Sequence, residues 1–149
     1  MLRLTAIATA ISGSLDILLA MILTLSFGRG IPGMLRSVAS GPFPAAADMG
    51  NVGALLGLAV HFTLMAIMAA VFMWLVRRRP ALLETPYRTG IAYGVLTYFI
   101  MNWLVVPLRF GTPLPPRPLS IATQLFAHIA LVGIPFALIA VRYLRPRRA

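Results

Sequence analysis

Residues 51–80 read NVGALLGLAVHFTLMAIMAAVFMWLVRRRP, and this stretch decides the fold. From Val52 to Val76 its only ionisable side chain is His61, after which the chain turns to Arg77-Arg78-Arg79-Pro80. A bilayer core about 30 Å thick needs roughly 20 apolar residues in a helix, so residues 52–76 form a membrane span. Trp74 suits the lipid–water boundary, and the arginine cluster beyond it suits a cytoplasmic edge. Three further runs meet the same length test, at about 5–27, 89–108 and 120–143. Arg3 ahead of the first run imitates a secretory leader. Asp16 in the middle of that run and its length both argue for a retained span.

The composition agrees with this reading. Of 149 residues, 60% are hydrophobic and 11% charged, against about 45–50% and about 25% in soluble domains. Disorder is excluded by the apolar content. The net charge of +10 is no nucleic-acid footprint, because the cations gather at the ends of apolar runs and form no stripe. With no cysteine in the chain, disulfides, thiolate metal sites and cysteine nucleophiles are all ruled out. Motifs of soluble enzymes, such as G-x-S-x-G or a phosphate-cradling glycine loop, are missing as well.

The loop arginines set the orientation. One side collects Arg3, Arg77, Arg78, Arg79, Arg88, Arg142, Arg145, Arg147 and Arg148, and the other Arg29, Arg36, Arg109 and Arg117. The asymmetry puts both termini in the cytoplasm. The expected architecture is all-α, a four-helix antiparallel bundle in one membrane domain. In the first outer loop, Ile31, Met34, Leu35 and Val38 recur at helical spacing, which predicts a short helix over about 31–40 on, or dipping into, the interface. An ordinary connecting turn of helix reads the same pattern equally well. Ser120 is the expected N-cap of the last span, and Pro107 and Pro135 are expected to bend or end their helices. Gly53 with Gly57 and Gly90 with Gly94 mark close contacts between spans, and one such face would also serve a homodimer.

Each span carries one strongly polar residue near its middle: Asp16, His61, Asn102 and His128. At 1.5 Å per residue, Asp16 lies roughly 17 Å and Asn102 roughly 20 Å from the inner face, while His61 and His128 lie roughly 13 Å from the outer one. All four therefore share one layer. Tyr98 and Gln124 lie one turn from Asn102 and His128. Intramembrane polar groups are costly and point to function by default, so these six residues form the candidate cluster for a proton, an ion or a small polar guest. Simple hydrogen-bonded stitching of the bundle is the competing reading. His61 and His128 at one depth also satisfy the minimum for a b-type haem or a metal, although no local ligand motif surrounds them. Met65, Met68 and Met73 read as packing. The non-enzymatic roles that follow are solute or proton handling, a haem- or quinone-binding redox anchor, and a structural subunit of a larger membrane complex.

Val60-His61-Phe62 through Arg79-Pro80, Gly90-Ile91-Ala92-Tyr93-Gly94 to Met101-Asn102, Val106-Pro107-Leu108 and Phe126-Ala127-His128 together resemble a group of small uncharacterised bacterial four-span inner-membrane proteins. More distantly they are similar to the YagU-like family, in which a His-bearing span, a Gly-rich span ending in Pro and a Gly-His span follow in the same order. Asp16 has no counterpart in that pattern. The resemblance implies a bacterial inner-membrane location and no particular reaction.

Overall fold

The computed structural model describes residues 1–144 and contains no strand among them. Four long helices carry the fold: α1 (Leu2–Ser26), α3 (Gly50–Arg78), α4 (Pro86–Phe110) and α5 (Pro118–Leu144). At 25–29 residues each, they are roughly 38–44 Å long, enough to cross a bilayer. Between α1 and α3 the chain forms α2 (Ile31–Ala39), a short helix with Pro32 in its first turn. Large apolar side chains on the outside of the long helices, such as Leu18, Ile22, Leu55, Ile67 and Leu104, are exposed. In water that surface would be a liability, whereas in lipid it is the solvated face.

Two apolar clusters form the interior. The larger lies towards the end of the bundle that carries the termini, where Ala8, Met65, Phe72, Tyr93, Phe136 and Ala140 are buried together. Its centre is an edge-on contact between Phe72 and Tyr93, with ring centroids 4.9 Å apart, a favoured aromatic geometry. The Tyr93 hydroxyl leaves this cluster to donate to the Met68 carbonyl at 2.7 Å. The smaller cluster lies under α2 and joins Leu35 to Ile17 and Ala54. The layer between the clusters holds the polar residues.

The glycines set how closely the helices approach. A Cβ on Gly90, Gly94 or Gly133 would run into the backbone of the facing helix, so α4 and α5 cross here in direct backbone contact. Gly53 and Gly57 behave differently from expectation. They face α2 and the turn after it: a Cβ on Gly57 would strike the Leu35 carbonyl, and one on Gly53 the Ala46 carbonyl. Both expected glycine pairs are therefore occupied within the chain, which removes them as a face for a second copy. With Leu35 resting seven residues into α3, α2 sits roughly 10 Å along that helix. It dips into the bundle.

Of the two outcomes expected at the prolines, bending the helix or ending it, the second does not occur. Neither Pro107 nor Pro135 ends its helix. Each follows a widened π turn, Ile100–Val105 in α4 and Ala127–Gly133 in α5. Proline lacks an N–H and its ring crowds the carbonyl four residues back, here Trp103 and Leu131. The wider turn accommodates that carbonyl without breaking the helix. Ser120 is not the N-cap of α5; Arg117 holds that position in an extended conformation. Pro118 then begins the helix, because its fixed φ suits a first turn.

Candidate functional site

A cavity of about 220 Å³ occupies the polar layer, and all five helices contribute to its wall. Asp16, His61, Asn102, Gln124 and His128 line it. Tyr98 does not. Its side chain is 2% exposed, and its hydroxyl accepts a hydrogen bond from Trp103 Nε1 at 3.2 Å. Met65 and Met68 line the cavity and Met73 lies in the apolar core.

The two imidazoles are each pinned at one nitrogen. His61 Nε2 lies 2.9 Å from the Gly13 carbonyl. A carbonyl only accepts, so Nε2 carries the hydrogen and Nδ1 is left with its lone pair or a second proton. That Nδ1 faces Asp16 Oδ2 at 3.9 Å, within ion-pair range and beyond a direct hydrogen bond. Gly13 brings its carbonyl within reach because it has no side chain, and the Phe62 ring packs into the space a Cβ would take. His128 Nδ1 lies 3.2 Å from Thr97 Oγ1. That hydroxyl is also 3.0 Å from the Tyr93 and Gly94 carbonyls. A hydroxyl has one hydrogen: given to a carbonyl, it lets Thr97 Oγ1 accept from His128 Nδ1–H; given to Nδ1, it puts the hydrogen of a neutral imidazole on Nε2.

The amides are less constrained. Asn102 Nδ2 donates to the Tyr98 carbonyl at 3.3 Å, which leaves its oxygen free. Gln124 stands one turn before His128 on the same wall. Both π turns bear on this layer, since Asn102 lies inside one and His128 inside the other; such turns recur at functional sites. Below Asp16 on the same face of α1, Ser12 Oγ and Thr9 Oγ1 are buried without a hydrogen-bond partner. They stand out, because Thr24 and Thr63 return their hydroxyls to carbonyls one turn back.

The cavity adjoins a second space, with α1, α2 and α5 between them. Met34 borders both the cavity and a vestibule of about 450 Å³ on the face opposite the termini. Thr24, Arg29, Arg117 and Ser120 line that vestibule, and Gln124 and Thr123 are common to both spaces. Arg109, at the end of α4, donates from its guanidinium to the Ser40 carbonyl at 2.9 Å and to the Gly41 carbonyl. A cation on the last carbonyls of a helix is a favourable cap, and here it ties α2 to α4.

Thr97 and Arg109 are the contributors that sequence reasoning missed. Thr97 shares a helical face with Gly90, Tyr93 and Gly94, and that small, polar face was its only signal. Arg109 read as one more loop charge. Among the described residues, no three His, Cys, Asp or Glu side chains converge to hold a metal ion. No family model, curated protein or solved structure matches this chain. The chain is a small, all-helical, multi-span membrane protein with two buried polar pairs, His61 with Asp16 and His128 with Thr97.

Proposed function

We propose that this protein binds a small hydrogen-bonding molecule inside the membrane and exchanges a proton with it at the Asp16–His61 pair. One observation carries the reading: Asp16 Oδ2 and His61 Nδ1, 3.9 Å apart, border the same cavity as His128, Asn102 and Gln124. The Gly13 carbonyl holds His61 by its other nitrogen, so the proton between imidazole and carboxyl is the mobile one. A guest oxygen placed between the two groups completes a link that neither makes directly. The mouth favours a guest without positive charge, because Arg29 and Arg117 flank the vestibule and no acidic side chain lines it.

A haem is less well supported than a small guest. The cavity is below the range of about 300–1,000 Å³ typical of cofactor sites. His61 also commits its Nε2 to a carbonyl. A bacterial inner membrane with both termini cytoplasmic belongs to the same reading and is supported by the arginine distribution.

Phenol is a suitable probe, being neutral, compact and able to donate and accept. The test is calorimetric titration of phenol into the detergent-solubilised protein, with proton uptake followed by a pH indicator. Saturable binding that weakens in His128→Leu, and proton exchange that disappears in Asp16→Asn, would support the reading. Binding that is absent, or identical in all three proteins, overturns it.

A further inference from the structure

Besides the vestibule, the polar cavity has a second neighbour. A groove of about 760 Å³ runs between α3 and α4 beneath the end of α2. Val38, Leu64, Met101 and Val106 border the groove and the cavity alike, so the two spaces adjoin through one wall. The groove is apolar along its length, with Ser37, Arg109 and Thr112 at the end near the loops. Leu64, Val105 and Phe110 on its walls are among the exposed large apolar side chains. It therefore opens sideways to the hydrocarbon of the bilayer.

Size and charge narrow what such a pair of spaces can hold. The cavity by itself is smaller than ordinary small-molecule sites, while cavity and groove together fall within their range of about 300–1,000 Å³. The cavity fits a head and the groove a tail. A molecule that arrives through lipid must be neutral, since a charge is costly at this depth. The head must also use the groups that wait for it. The Asn102 and Gln124 amides and the free nitrogens of His61 and His128 offer donors and acceptors side by side. Ring hydroxyl or carbonyl oxygens match that set.

The geometry points to a neutral, lipid-dissolved molecule with a compact oxygen-bearing ring and a hydrocarbon tail, of the phenol or quinol type. Its ring rests in the Asp16–His61–His128 cavity and its tail in the α3–α4 groove. The inference rests on the polar-guest reading above and names the class of guest. It also gives the guest a route of its own, from lipid through the groove.

The test compares phenol, decylphenol and decylbenzene on the full chain in nanodiscs. Any tailed probe concentrates in lipid, so the control is the protein and not the tail. Val105→Trp and Val60→Phe fill the groove from its two walls, and neither residue lines the polar cavity. Each should weaken decylphenol about tenfold or more, and phenol by less than about threefold. Retained phenol binding shows that each variant is folded. Decylbenzene, without the oxygen, should not compete. Unchanged decylphenol affinity in both groove variants overturns the inference and leaves the polar-guest reading standing. Competition by decylbenzene equal to that by decylphenol overturns it too, because the groove would then be a plain lipid site. Failure of phenol and decylphenol alike overturns both readings.

Discussion

Replacing Gly57 by alanine tests whether α2 is held in the bundle by backbone contact. The added Cβ would meet the Leu35 carbonyl oxygen, with the Leu35 carbonyl carbon at 2.6 Å and Cα at 3.1 Å. Carbon atoms rest at about 3.5–4.0 Å, so α2 must retreat by roughly 1 Å. No side-chain rotation relieves the overlap, because every atom involved belongs to the backbone. Overpacking of this kind costs about 1–3 kcal/mol, which corresponds to roughly 5- to 150-fold in the equilibrium for releasing α2. The retreat would also carry Met34 and Val38 away from the cavity they border.

Amide hydrogen exchange over residues 31–39, beside global unfolding in mixed detergent micelles, reads this directly. Gly57→Ala should accelerate exchange in α2 by about that factor. Gly33→Ala is the matched control, since the added methyl would meet nothing closer than the Arg36 guanidinium at 3.9 Å. A helical glycine costs roughly 1 kcal/mol relative to alanine, so this variant should slow exchange in α2. Wild-type exchange in Gly57→Ala would refute the reasoning, because it would mean that α2 does not rest on α3 at all.

Three further outcomes follow from single observations. Ser12→Ala should leave stability unchanged or raise it in a thermal melt, because it removes a buried hydroxyl that has no partner. Arg109→Met should speed amide exchange near residues 36–41 while the spans keep their protection, because the guanidinium joins α2 to α4 through the Ser40 and Gly41 carbonyls. Pro135→Ala restores an N–H opposite the Leu131 carbonyl and should let the π turn of α5 relax to ordinary α winding. The relaxation rotates His128 relative to α4, and loss of the Thr97 contact should appear as a shifted His128 imidazole resonance.

The spans were legible because their signal is long and one-dimensional: an apolar run either has the length to cross or it does not. Asp16, His61, Asn102 and His128 could be set in one layer by counting rise from each face, and they are four of the six polar side chains that line the cavity, with Thr123 and Gln124. Gln124 came with them as a neighbour one turn away. Tyr98 stands in the same layer, its ring edge-on to His128 with centroids 6.1 Å apart, yet it does not line the cavity, because an offset of four residues places a side chain on the same face only in regular winding. Tyr98 precedes the π turn that carries Asn102, so its neighbour is displaced and its hydroxyl meets Trp103 instead. The glycine pairs were visible as small faces, but a small face does not name its partner. That Gly57 receives the Leu35 backbone depends on how the chain returns after α1, a long-range fact that no local pattern contains.

The placement of the two π turns links the prolines to the chemistry. An unbroken α-helix repeats its faces every 3.6 residues, so a helix packed by glycines at one level presents a fixed face at the next. In α4, Gly90 packs on the Gly133–Ile134 backbone of α5 and Gly94 on the His128–Ile129 backbone, and the π turn begins at Ile100, beyond both. In α5, Gly133 locks the same contact from the other side, and the π turn ends on it. The α4 turn therefore lies beyond the close crossing, where Asn102 can be aimed independently of it, whereas the α5 turn lies within the crossing and carries His128 on the backbone that Gly94 meets. Pro107 and Pro135 keep the turns wide, since regular winding at either point would bring a proline ring against a carbonyl. In α5 the packing face and the polar face are thereby coupled, since Gly94 packs on the backbone of His128 and Ile129 inside the π turn, which is why substitution of Pro135 should move His128 and loosen the Gly94 contact together.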